Sequence, residues 1–300
     1  MKTISTTRNC GQNSGSIMSS APRRVLHLLR GDISSWRHTE AIVTSANAGL
    51  CGNKTPDHWR FRAMPERAHV SAGAAGCARR LEGSVPYLNV DGRVHAACGP
   101  ELAAALKSLM DARSFTYRSP VAPGSAWRGA VLPQSTNWQV GCLSGCAVHT
   151  PAFGALERAG VRTIVHAVAP DGRHLLSDGR QREQVLSLLG KTYAAAIHQA
   201  DAAGCRSVAI PALGCGVNGF PAEIAAFTAL AEGTAWLRAG GGGEGGGTAG
   251  VVERVYFVMS EDCNLTWEAW TQEALRRGAT PADRRLRIHE DELHIVQGGE

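Results

Sequence analysis

The sequence predicts an α/β protein whose mostly parallel sheet is covered by helices on both faces. Between residues 163 and 259, short β-branched apolar runs alternate with longer stretches of helical periodicity. The run at 163–168 is apolar almost throughout, as in a strand buried on both faces. The composition agrees. A 44% hydrophobic fraction with only 6% aromatics, rich in Ala and Gly, suits close-packed α/β layers better than an aromatic-rich sandwich.

The chain divides as follows. Residues 1–22 are polar and rich in Ser and Thr, and no acidic residue precedes Asp32. A disordered leader and an organelle-targeting segment within residues 1–30 both fit that composition. Strands are expected at 24–29 and 41–45. Pro56, Pro65 and Pro86 mark a loop-rich insertion at about 53–88. One helix is expected over 93–112, followed by an irregular second insertion at 113–141. Next come a strand at 163–168, a helix at 181–203, a strand at 206–212 and a helix at 221–238. A third insertion at 239–250 is nearly all Gly. A strand at 255–259 and a helix at 266–277 complete one domain spanning 23–278, and 279–300 is a charged C-terminal tail.

Several function classes fall away. The net charge is only +5, with no dense Lys/Arg block, so direct nucleic-acid binding is not expected. No run of 18 apolar residues exists, so no membrane span is expected. Nine cysteines at scattered spacings, an odd count, read as a reduced intracellular protein, cytoplasmic or nuclear.

In parallel sheets ligands bind at the carboxyl ends of strands, so the loops after strands hold the candidate site. Gly214-Cys215-Gly216-Val217-Asn218-Gly219-Phe220 follows a strand and leads through Pro221 into a helix. Glycines let backbone N–H groups converge on a phosphate, and a helix N-terminus adds a favourable dipole. A dinucleotide fingerprint is excluded by position, because no early βαβ unit or correctly spaced acidic residue accompanies it. Gly31-Asp32-Ile33 follows the first strand. Its carboxylate and next N–H suit a purine edge, and a turn cap is the alternative. Asn47 follows the second strand and offers a donor and an acceptor to a ribose diol, or serves a turn. Asp91, before a helical run, is either a cap or a proton acceptor. Cys142, Cys146 and His149 are compactly spaced but lack an evident fourth ligand, so no metal site is assigned.

Together these pieces resemble the macro domain family. Gly31-Asp32-Ile33-Ser34 and Ala41-Ile42-Val43-Thr44-Ser45-Ala46-Asn47 are similar to its G-D-I-T and I-V-N-A-A-N opening. Val90-Asp91-Gly92-Arg93-Val94-His95-Ala96-Ala97-Cys98-Gly99-Pro100 resembles V-D-G-x-I-H-x-A-A-G-P. The segments 142–150, 164–170 and 207–221 are similar to three further motifs, in the family's order. The resemblance implies a three-layer α/β/α sandwich with a mixed, mostly parallel sheet.

It also implies ADP-ribose, free or on a modified protein, as ligand. Asp32 and Ile33 would hold adenine, Asn47 the distal ribose, and the loop from Gly214 to Phe220 the diphosphate. Asn47 and Asp91 would be catalytic, Asp91 orienting a water as in the MacroD-type branch, without metal or cofactor. Cys142, His95 and His166 fall at positions that pack. Three departures stand out. Thr44 replaces the first Asn of its motif, the first phosphate loop is interrupted after Gly52, and Asn218 stands where an aromatic is usual. The expected function is therefore an ADP-ribosyl-protein or O-acetyl-ADP-ribose hydrolase, with a catalytically inactive ADP-ribose reader as the alternative.

Overall fold

The computed structural model describes residues 24–50, 89–113, 115–119, 136–172, 179–216, 218–239, 250–261, 263–282 and 288–296. The leader, the 53–88 insertion, Val217 and most of the Gly-rich segment lie outside the described residues. Among those described, no helix is long and apolar enough to cross a membrane.

Five strands run parallel: Val25–Arg30 (β1), Ala41–Ser45 (β2), Thr163–Ala167 (β6), Ser207–Pro211 (β7) and Arg254–Met259 (β8). Ala147–Pro151 (β5) flanks β6 antiparallel, while Leu293–Val296 (β10) flanks β1 antiparallel and pairs onward with Thr280–Pro281 (β9). The order is β5-β6-β2-β7-β8-β1-β10-β9. This is the expected mixed, mostly parallel sheet.

Alternation along each strand sorts the core into two layers. Val43, Val165, Ile210 and Phe257 face one side. There they pack against helices Gly179–Ala202 (α4), Ala222–Ala239 (α5) and Asn264–Arg276 (α6). Ile42, Ile164, Ala209 and Val258 face the other side, beneath Val90–Cys98 (α1), Pro100–Arg113 (α2) and Gly154–Arg158 (α3).

Three expectations need correction. The single helix over 93–112 is two helices, α1 and α2, broken at Gly99, which sits at φ 81°. Pro100 then opens α2 at a position where its missing N–H costs nothing. The irregular 113–141 stretch contains Phe115–Ser119 (β3) and Thr136–Val140 (β4), an antiparallel pair outside the main sheet. The charged tail is not an appendage, because β10 fills the hydrogen-bonding edge of β1. Against the reading of a reduced protein, Cys263 is disulfide-bonded, whereas Cys98, Cys142, Cys146, Cys205 and Cys215 are free thiols.

A polar seam crosses the sheet. Thr44 on β2 lies opposite His166 on β6, and His166 Nε2 meets Thr150 Oγ1 at 3.0 Å. His166 is fully buried; burial first, then His95 and His149, lower its imidazole to about 3. The folded protein therefore holds the ring neutral, while the unfolded chain takes up a proton there below about pH 6.5. Stability from this group is complete above about pH 6.5 and is lost progressively as the pH falls toward about 3. Across that window, the wild type should lose stability more steeply than His166→Gln, by up to about 1.4 kcal/mol per pH unit. Parallel denaturant curves for the two would rule this ring out as the acid-sensitive group. The other layer centres on Trp270, fully buried and 5.2 Å from the Phe257 ring. Trp270→Ala should cost about 3–5 kcal/mol in urea unfolding.

Candidate functional site

Parallel strands all end at the same edge of the sheet, so the loops after β1, β2, β6, β7 and β8 gather there. After β1 the chain turns through Asp32, whose Oδ1 accepts from Ser34 N at 2.9 Å and Ser34 Oγ at 2.6 Å. It caps the short 3-10 turn Ile33–Ser35, so the capping alternative is realised. The other carboxylate oxygen lies 3.3 Å from an Arg93 guanidinium nitrogen, and the side chain remains about half exposed. Ile33 is buried, yet its N–H donates no hydrogen bond among the described residues.

After β2, Asn47 is half-buried and its carbonyl accepts from Leu50 N at 2.9 Å, closing a turn. Gly141 N and Cys142 N donate to Ala48 O, and Gly145 N donates to Val168 O. The 141–146 segment thus braces both the β2 and β6 loops. Cys142 is buried among apolar side chains, and burial, with Cys146 nearby, pushes its thiol up to about 12. His149 Nδ1 engages Gln199 Oε1 at 2.7 Å.

The loop after β7 is folded by its own bonds. Cys215 N reaches Ala212 O, Gly219 N reaches Gly216 O, and Phe220 N reaches Gly214 O at 3.0 Å. The N–H groups of Gly214, Gly216 and Asn218 donate no hydrogen bond among the described residues. A Cβ added to Gly216 meets nothing within 4 Å, so that position borders open space. Phe220 is fully buried against Gly214 and Gly172, where it anchors the loop. Cys215 packs on the same core, and burial, then Glu223, raises its thiol to about 12. Asn218 ties the loop sideways: its Nδ2 donates to Ala169 O, and its carbonyl accepts from Gly172 N at 2.7 Å. The β6 loop at 168–172 is thus part of this neighbourhood, a role the sequence reading left unassigned. Pro170-Asp171-Gly172 directly after a strand was the available signal.

Asp91 is placed differently from these rim residues. It lies in the first turn of α1, whose cap is Asn89, with Oδ1 accepting from Gly92 N at 2.9 Å. The Asp91 carboxylate is 1% exposed, accepts from Thr44 Oγ1 at 3.0 Å, and stands 3.7 Å from His95 Nε2. His95 in turn lies edge-on to His166, with ring centroids 6.3 Å apart. Asp91, His95 and His166 offer converging ligand atoms, as do His27, Glu292 and His294. The Thr44 that departs from the motif is thus the hydroxyl that holds Asp91.

Comparison with known proteins agrees with this architecture. A model of the Macro domain matches residues 129–229. A macro domain-containing protein of Ralstonia nicotianae is 31% identical over 209 residues, covering 70% of this chain and 78% of its own length. A protein of Escherichia fergusonii named O-acetyl-ADP-ribose deacetylase is 25% identical over 239 residues, covering 80% of this chain and 90% of its own. Among solved structures, a variant of the Oceanobacillus iheyensis macrodomain with ADPR superposes with a TM-score of 0.52 at 20% identity, covering 86% of this chain and 95% of that one. With its sheet order, its strand-end loops and these relatives, the chain belongs to the macro domain family.

Proposed function

We propose that this protein binds ADP-ribose, free or attached to protein, at the carboxyl edge of its sheet, and hydrolyses ADP-ribosyl or O-acetyl-ADP-ribose bonds. One observation carries the binding reading. The N–H groups of Gly214, Gly216 and Asn218 donate no bond among the described residues, while the intervening amides of Cys215 and Gly219 hold the loop in shape. Amides without an acceptor among the described residues, in the loop leading into α5, are donors suited to a diphosphate. In this reading Val217 completes the loop, Ile33 N–H and Asp32 take the adenine edge, and Asn47 takes the distal ribose. The names of relatives that are deacetylases support hydrolysis, with Asp91 and Asn47 as its catalytic groups.

The burial of Asp91 favours a second reading, a binding-only reader. A general base must reach the water it activates, and this carboxylate is 1% exposed and bonded to Thr44. Turnover separates the two. Under the hydrolase reading Asp91→Asn lowers turnover by about 10²–10⁴ with ADP-ribose affinity little changed, because the carboxylate acts mainly in the transition state. A wild type that binds ADP-ribose but releases nothing from ADP-ribosylated protein or O-acetyl-ADP-ribose is a reader.

Binding itself has a separate check. Gly216→Val puts a branched side chain into the open space beside the loop, so calorimetry with ADP-ribose should show binding lost while the melting curve barely moves. Retained affinity in that variant would place the phosphates elsewhere.

A further inference from the structure

The strand that closes the sheet carries a second cluster, well away from the loop edge. His27 on β1 lies directly opposite His294 on β10. Glu292, two residues before His294, lies just ahead of β10. The three side chains meet. Glu292 Oε1 is 2.7 Å from His27 Nδ1 and 2.9 Å from His294 Nε2. All are sheltered, with His27 at 9%, Glu292 at 0% and His294 at 14% side-chain exposure. Glu292 Oε2 accepts from the backbone N–H groups of Ile288 and His289, and the Tyr256 ring stacks on His27 at 4.1 Å.

We propose that His27, Glu292 and His294 form a site for a transition-metal dication of the zinc class, which fastens the C-terminal strand to β1. Two imidazoles and one carboxylate suit a borderline-soft ion and leave a fourth position for water; calcium and magnesium prefer oxygen ligands throughout. The three ligand atoms lie within 4.8 Å of one another. Tetrahedral ligands at about 2.0–2.2 Å from zinc stand roughly 3.3–3.5 Å apart. Glu292 Oε1 must therefore retreat from each ring by roughly half an ångström to admit the ion. A small turn of the carboxylate supplies that movement while Oε2 stays pinned by its two amides. Each imidazole binds as the neutral ring, its proton on the far nitrogen.

The outer contacts fit as well. The amides on Oε2 and the stacked Tyr256 orient the ligands, as supporting groups do around bound metals. This site does not depend on the ADP-ribose reading, because its residues lie in mid-β1, on β10 and just before β10 rather than in the loops after the parallel strands.

The test uses the full chain after chelator treatment and dialysis. Cobalt(II) serves as the probe, since tetrahedral coordination gives an intense visible band, and zinc is used to displace it and to raise the melting temperature. One equivalent of cobalt should saturate the band in wild type. Glu292→Gln keeps the shape of the side chain and should weaken cobalt binding by more than the roughly 10–100-fold that loss of a supporting group costs. His294→Ala should do the same, and zinc should no longer raise the melting temperature of either variant, whose folding is checked by circular dichroism. No band and no zinc-dependent shift in wild type would overturn the proposal and leave the cluster a hydrogen-bonded clasp. A band that persists unchanged in both variants would also overturn it, by putting the ion elsewhere.

Discussion

The common direction of β6, β2, β7, β8 and β1 is the constraint on which the rest of the structure depends. Five parallel strands discharge five loops at one edge, and each loop leaves its last strand with backbone donors that the sheet cannot satisfy. Some are taken up by the loops themselves or by neighbours, as when Gly145 N reaches Val168 O or Gly172 N reaches Asn218 O. Among the described residues, others, such as those of Ile33, Gly214, Gly216 and Asn218, face this edge without a protein acceptor. The sheet, rather than any one side chain, gathers these donors at one edge.

Below that edge the chemistry changes character. The seam through Thr44, Asp91, His95, His166 and Thr150 is sealed among apolar neighbours and joined by the Thr44–Asp91 and Thr150–His166 hydrogen bonds. Buried polar groups are costly unless paired, so such a seam fixes the register of α1 against β2 and β6. A carboxylate set there is well oriented and poorly hydrated. The same packing that orients Asp91 keeps it from solvent, and Thr44 is the residue whose hydroxyl bonds it there.

Much of this was legible in the residues. The apolar run around Ile164 marked a strand buried on both faces, those around Val208 and Val255 marked strands, and Gly214 to Pro221 marked a loop opening a helix. Local pattern failed where tertiary pairing decides structure. Phe115 and Tyr117 alternate with polar residues as a strand should, but Pro120 and neighbouring irregular sequence hid the pairing with residues 136–140. The Gly99-Pro100 step was readable as a helix stop and start, yet continuous apolar spacing across it suggested one helix. The closing strand was hidden most deeply. Leu293 to Val296 is four residues in a charged stretch, and nothing local announces that β1 is its partner. The loop residues could be named from sequence, and the Asp32 cap, a contact two residues away, was among the readings; Asp91 as a buried member of a network depends on Thr44 and His166, far from it in the chain.

The interior position of β1 also has a consequence during synthesis. Val25 pairs with Arg254 on one side and with Val296 on the other, so the first strand of the sheet has neither neighbour until almost the whole domain has been made. At about 5–20 residues per second, a ribosome takes roughly 10–50 s to deliver those partners. Meanwhile Leu26, Leu28 and Leu29, all buried in the finished fold, belong to a strand with two open edges. β1 is thus open to mispairing until the segments carrying β8 and β10 have emerged, and their pairing ends that exposure.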